Sequence, residues 1–213
     1  MKKKQKLVVF IVEGDTELEF YKQLVLYYRA QHGGWLNCKI EYKSVDGVGK
    51  YKGKGVRIFK NIISQYPKSD YVYHVFLCYD ADVFEFGQKP KDWKSVVESL
   101  KKSGARVVQV RAVHSIEDWF LYDTEGLRRF LHLTDKIQKK GSGLEYLQDL
   151  FKKANRMYNK GHASKGLIAA LDMSVIISHI GSEIKKIEDE FKSEEHLEDP
   201  THTTEAHKNS SQS

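Results

Sequence analysis

The run Leu7–Val12, LVVFIV, sets the tightest limit on what this chain can become. A strand with one wet face alternates apolar and polar residues. An unbroken apolar run, rich in β-branched side chains, asks for cover on both faces, as in a parallel sheet between two helical layers. Two similar runs follow, Val72–Tyr79 (VYHVFLCY) and Arg106–Val113 (RVVQVRAV), and Cys38–Val45 reads as a further strand. Helical segments separate them, which predicts an α/β fold with a mainly parallel central sheet and right-handed crossovers.

The first helix starts where Glu13-Gly14-Asp15 breaks the apolar run. Thr16 and Glu19 have the spacing of a capping box, with Leu18, Tyr21, Leu24, Val25 and Tyr28 following at helical intervals. Val56–Tyr66 carries Ile58, Phe59, Ile62 and Ile63 on one side, and Trp93–Lys102 ends near Ser103-Gly104. After Trp119 the strand signal stops. Trp119–Leu133, Gly143–Arg156 and Ser164–Phe191 read as helices, the last with a break at Gly181. The expected organisation is an α/β core over residues 1–121, a C-terminal α-helical extension over 122–192 packed on it, and a disordered acidic tail over 193–213. The three histidines of that tail are read as solvated.

At 213 residues, 40% hydrophobic and 30% charged, the chain has the composition of an ordinary globular protein. No stretch approaches the ~20 apolar residues of a membrane helix. Leu7–Val12 is too short for a signal-peptide core, and Cys38 and Cys78 form neither a disulfide framework nor a CxxC pair. These features predict a reduced, cytoplasmic protein with no membrane partner. The net charge of +6 is unevenly placed. From Glu194 onward five acids face Lys208 alone, so that segment carries −4 and the remainder +10. A basic globule points to a polyanionic partner, nucleic acid above all, although solubility alone also accounts for the charge.

Acidic residues follow three of the strands: Glu13 the first, Asp80 and Asp82 the third, Glu117 and Asp118 the fourth. In a parallel sheet the strand C-termini share one edge, where ligands bind. Carboxylates gathered there repel one another unless a cation neutralises them, and hard oxygen donors with open positions suit Mg²⁺ or Mn²⁺.

IVEGDTELEF, a strand ending in Glu-Gly, followed by VFLCYDAD, a strand ending in Asp-x-Asp, resembles a TOPRIM domain. That is the Rossmann-like topoisomerase–primase fold, also found in OLD-family nucleases and in small maturases of ribosomal RNA. The resemblance covers Lys6 to Leu121. IEDWFLYD and the Tyr158-Asn159-Lys160 segment are similar to RloB-type small TOPRIM proteins, which often sit beside bacterial defence systems. The resemblance implies Glu13 as general acid or base or as a ligand sharing a second metal, Asp80 and Asp82 as catalytic metal ligands, and Glu117 or Asp118 as ligands to a second ion. It implies a Mg²⁺- or Mn²⁺-dependent nuclease acting on DNA in preference to RNA, with phage defence as its setting. A partner ATPase and a homodimer are compatible with it. Two rivals stand beside it: a non-catalytic nucleic-acid-binding or regulatory subunit of such an ATPase, and an RNA maturase. The resemblance departs after the second strand, where the family's glycine turn gives way to a long Lys-rich loop.

Each residue also has a plainer reading. Glu13 suits a helix dipole, Asp80 and Asp82 suit a turn, and Glu117 and Asp118 suit a first helical turn with Ser115 as N-cap. The Gly-Lys loop fails as a Walker A motif, because Gly53-Lys54 is followed by Gly55 and the first glycine position holds Val48. Lys50, Lys52, Lys54 and Arg57 nonetheless approach a helix start and are candidate phosphate contacts, against the alternative of a flexible solvated loop. Lys160 and Lys165 form a second candidate basic cluster, with a plain helix-start surface as the alternative. His114 is read as a hydrogen-bonded structural histidine.

Overall fold

The computed structural model describes residues 4–31, 38–81, 93–138, 141–160 and 165–192. Within them the chain runs β1 (Gln5–Val12), α1 (Asp15–Gln31), β2 (Lys39–Ser44), a 3₁₀ turn (Val48–Lys50), a π-helical turn (Tyr51–Gly55), α2 (Val56–Gln65), β3 (Tyr71–Asp80), α3 (Trp93–Lys102) and β4 (Ala105–Ala112). Five helices follow: α4 (Ile116–Phe120), α5 (Thr124–Leu131), α6 (Gly143–Lys153), α7 (Lys165–Ala170) and α8 (Met173–Lys192). The expected α/β class holds. The four strands are all parallel, in the order β2-β1-β3-β4.

The apolar run of β1 is doubly covered. Val8, Phe10 and Val12 face α1 and the C-terminal helices, while Leu7, Val9 and Ile11 face α2 and α3, and all six are fully buried. Phe10 stacks against Tyr21, Tyr42 and Phe76, with ring centroids 5.4, 5.3 and 5.0 Å away. β2, at the sheet edge, is only half buried. Lys39 lies over the Tyr66 ring at 4.4 Å, and the Tyr66 hydroxyl donates to Glu41 at 2.8 Å. Charged side chains on an edge strand discourage further strand pairing. Both cysteines are buried thiols. Among the described residues no helix is long and apolar enough to cross a membrane.

The C-terminal helices break elsewhere than the sequence suggests. The expected helix Trp119–Leu133 is two helices, because Asp123 stops α4 and caps α5, its Oδ1 accepting from Gly126 N–H at 2.9 Å. The last helix does not break at Gly181. It divides at Leu171-Asp172, where Asp172 Oδ1 accepts from Ser174 N–H at 2.8 Å and Asp123 Oδ2 accepts from Asp172 N–H at 2.7 Å. One buried carboxylate thus satisfies orphan amides of two helix starts, which local sequence rules do not anticipate. Ile176, Ile180, Ile184, Ile187 and Phe191 line one side of α8 and join the same core face as α1.

α8 runs against the direction of β4. Glu183 accepts from Val113 N–H at the strand's end (2.6 Å), and Glu190 pairs with Arg106 near its start (3.3 Å). The tail read as disordered lies outside the described residues.

Candidate functional site

The strand order reverses between β1 and β3: from β1 the chain crosses to β2 on one side, then passes back over to β3 on the other. Such a switch point opens a crevice at the strand C-termini. Glu13 leaves β1 and Asp80 ends β3, on the two sides of that crevice.

Asp80 is buried, and its two oxygens do different work. Oδ1 accepts from Ile116 N–H at 3.1 Å, so a strand-end carboxylate caps α4 from outside the helix. Oδ2 faces Lys160 Nζ at 3.3 Å. Ser115 precedes α4 but caps none of its amides; its hydroxyl donates to Asp118 Oδ2 at 3.1 Å. The cap supplied by Asp80 turns the next residue inward: Glu117 is fully buried, and its Oε1 accepts from the Tyr158 hydroxyl at 3.1 Å. Thr16 also hydrogen-bonds that hydroxyl. Glu117 Oε2 is shielded from solvent and accepts no hydrogen bond among the described residues.

A fourth carboxylate, absent from the sequence reading, completes the group. Glu17 is buried, and its Oε2 accepts from Gly14 N–H at 3.0 Å. This is the reach-back half of a capping box with Gly14 as N-cap, so the expected pairing of Thr16 with Glu19 is corrected; Glu19 pairs with Lys22 at the surface instead. The signal was present in the helical period. Glu17 lies four residues before Tyr21 and seven before Leu24, on the buried stripe of α1, where an acid is costly unless it has a role.

Mutual repulsion shows in the proton affinities. Burial raises Glu17 from 4.5 to about 7, with the Glu13 and Glu117 charges adding to the rise and its backbone hydrogen bond and Lys160 opposing it. Burial likewise lifts Asp80 well above the usual carboxylate range; Glu17, Glu117 and Glu13 push the same way, and Lys160 pulls back. Four acids from the β1 end, α1, the β3 end and α4 therefore share one electrostatic neighbourhood, tempered by Lys160.

The remaining predicted residues sort as follows. Asp118 accepts from the Ser115 hydroxyl and packs on the α6 start, where a Cβ added to Gly143 would clash with the Asp118 backbone N and Oδ2. Asp82 lies outside the described residues. Lys160, expected to meet phosphate, faces Asp80. Lys165 opens α7, and its side chain lies outside the described residues.

The Gly-Lys stretch is not an open loop. It winds into the 3₁₀ and π turns that lead straight into α2. Fully buried Tyr51 anchors it, donating to the Cys78 carbonyl and packing on Trp93 at 5.0 Å. Ser44 Oγ and Gly47 N–H both donate to Glu13 O, at 3.2 and 2.9 Å, so the turn sits beside the acidic group. Lys50, Lys52 and Arg57 are exposed, and Lys54 pairs with Asp46. His114 is exposed at the sheet rim; its carbonyl, not its ring, joins the hydrogen-bond network by accepting from Ala81 N–H at 3.0 Å.

The donor set fits a hard divalent cation: carboxylate oxygens only, with Asp80 Oδ2 and Glu117 Oε2 buried and accepting no hydrogen bond among the described residues. Among the described residues no three His, Cys, Asp or Glu side chains stand as a group that could hold a metal ion as they are placed. Comparison with family models, curated proteins and solved structures finds no match to this chain.

Proposed function

We propose that this chain is a divalent-metal-dependent, TOPRIM-type nuclease that hydrolyses phosphodiester bonds in nucleic acid, with Mg²⁺ or Mn²⁺ as its cofactor. One observation carries the reading: Glu13, Glu17, Asp80 and Glu117 gather at the switch point of a parallel sheet, with Lys160 as the cation among them. Buried like charges are costly, and a structure that only needed to fold would not collect them. A bound divalent ion would polarise the phosphate and lower the pKa of an attacking water, effects worth several kcal/mol.

Asp80, Glu117 and Glu17 are the residues that would hold the ion. Glu13, only half buried at the crevice, is placed to take a proton from the attacking water or to join the ligands. Tyr158 fixes the Glu117 carboxylate through Oε1 and leaves Oε2 for the ion. The exposed cations Lys50, Lys52 and Arg57, on the turn tied to Glu13, would receive the phosphate backbone. DNA is the proposed substrate, and phage defence the proposed setting.

The exposed cations Lys50, Lys52 and Arg57 would serve a second reading as well, a non-catalytic nucleic-acid-binding subunit. Incubating purified protein with labelled duplex DNA and structured RNA, with and without Mn²⁺, decides between them. Metal-dependent cleavage abolished by Asp80→Asn supports the nuclease. Binding without cleavage by either protein supports the subunit, and cleavage of RNA alone points to maturation.

A further inference from the structure

We infer that Lys160 is a built-in counter-ion: in the metal-free protein its ammonium holds the place of the divalent cation at Asp80, and binding of the ion expels it. The inference rests on the metal-site part of the nuclease reading and adds a regulatory step to it.

Three observations carry it. Lys160 Nζ lies 3.3 Å from Asp80 Oδ2, the oxygen left over once Oδ1 has capped α4. Asp80 is 2% exposed at its side chain and Lys160 28%, so the lysine reaches inward from the rim and has solvent to return to. Tyr158, two residues earlier, is pinned independently, its hydroxyl on Glu117 Oε1 and its ring against Phe151 at 5.2 Å. Upstream, Arg156 N–H donates to Phe151 O at 2.8 Å and its guanidinium lies over the Phe130 ring at 4.2 Å.

The consequence follows from electrostatics. A divalent ion and an ammonium cannot share one buried carboxylate oxygen without strong repulsion, so ligation and the Lys160 contact exclude each other. Each weakens the other by the same factor, since coupling between two occupants is reciprocal. Because Tyr158 stays anchored, the Lys160 Cα remains within about 7 Å of the Tyr158 Cα, which keeps the expelled ammonium, one lysine side chain further out, in reach of a phosphate at the rim. The device gives Asp80 a counter-charge when no ion is present and delivers a cation to the substrate side only once the ion has entered.

The test has two arms. In the first, Mn²⁺ binding is measured by calorimetry on wild type, Lys160→Met and Lys160→Gln, with thermal melts to check folding. Both variants should bind Mn²⁺ more tightly, by about tenfold, as expected when a nearby competing charge is removed. In the second, wild-type protein is acylated with an amine-reactive reagent and Lys160 modification is followed by mass spectrometry. Mn²⁺ should accelerate that modification severalfold. Equal or weaker Mn²⁺ binding by the variants, or no acceleration, overturns the proposal. Absence of Mn²⁺ binding by all three proteins overturns it together with the metal site. Tighter binding by the variants, in a wild type that cleaves neither DNA nor RNA, keeps the counter-ion and removes the nuclease.

Discussion

Two buried charge clusters sit on the same face of the sheet, and they are built in opposite ways. Near the strand N-termini one carboxylate, Glu190 of α8, meets basic side chains from three adjacent strands: Lys6 at 2.6 Å, His74 Nδ1 at 2.5 Å and Arg106 at 3.3 Å. Although burial pushes Glu190 up, His74 and Lys6 win and hold it at about 2. At the strand C-termini four carboxylates share Lys160, and burial with like-charge repulsion raises Glu17 and Asp80. The first cluster pairs opposite charges and clamps α8 to the sheet. The second gathers like charges around Lys160, and the proposed divalent ion would complete it. Burial of charge alone therefore does not mark a function; the sign and number of its neighbours do.

Substitutions should separate the two. Asp80→Asn should lower cleavage by roughly a thousandfold or more, the loss expected when a metal ligand goes. The metal-free melting temperature should not fall, because the amide oxygen still caps Ile116 and repulsion is relieved. Glu190→Gln should do the reverse, costing about 3 kcal/mol in denaturant unfolding by leaving Lys6 and Arg106 without their carboxylate. Its Mn²⁺ affinity, measured by calorimetry, should match wild type. A Glu190 variant that lost Mn²⁺ binding would break the contrast.

A smaller effect is expected at Glu17. Glu17→Gln should weaken Mn²⁺ binding by about tenfold while stabilising the metal-free protein, since desolvation of one buried charge is removed. Smaller still is the pH signature, and here the clusters differ in sign. With its folded pKa raised to about 7 from 4.5, Glu17 binds a proton in the folded state that the unfolded chain has released. Its contribution is present in full below 4.5 and is lost as pH rises through about 7. Glu190, lowered to about 2 from 4.5, contributes above 4.5 and loses that contribution as pH falls through about 2. Melts of metal-free protein should therefore lose stability between pH 4.5 and 7, Glu17→Gln should flatten that slope, and saturating Mn²⁺ should abolish it.

The sheet was legible because its information is local. Double burial of β1 is written in six consecutive apolar residues, and the strand ends that carry Glu13 and Asp80 follow from it. Helix breaks made by distant groups were not legible. Asp123 reaches Asp172 across 49 residues, and nothing near Gly181 shows that the helix continues there. At the site, Glu13, Asp80 and Glu117 were readable as acids after strands. Glu17 was hidden behind a capping motif that fits Thr16 and Glu19 equally well on spacing, although its place on the apolar stripe of α1 marked it. Asp118 and Glu117 are neighbours in sequence and point to different surroundings. Only the Asp80 cap and the close approach of Gly143 decide which one turns inward.

The central claim is that the acids at the switch point are a divalent-cation site. Anomalous diffraction from crystals soaked in Mn²⁺ tests it most directly. The account predicts an anomalous peak in contact with Asp80 Oδ2 and Glu117 Oε2, with the Lys160 ammonium displaced from Asp80. Crystals that show no peak among these carboxylates at millimolar Mn²⁺, with Lys160 still on Asp80, would contradict it.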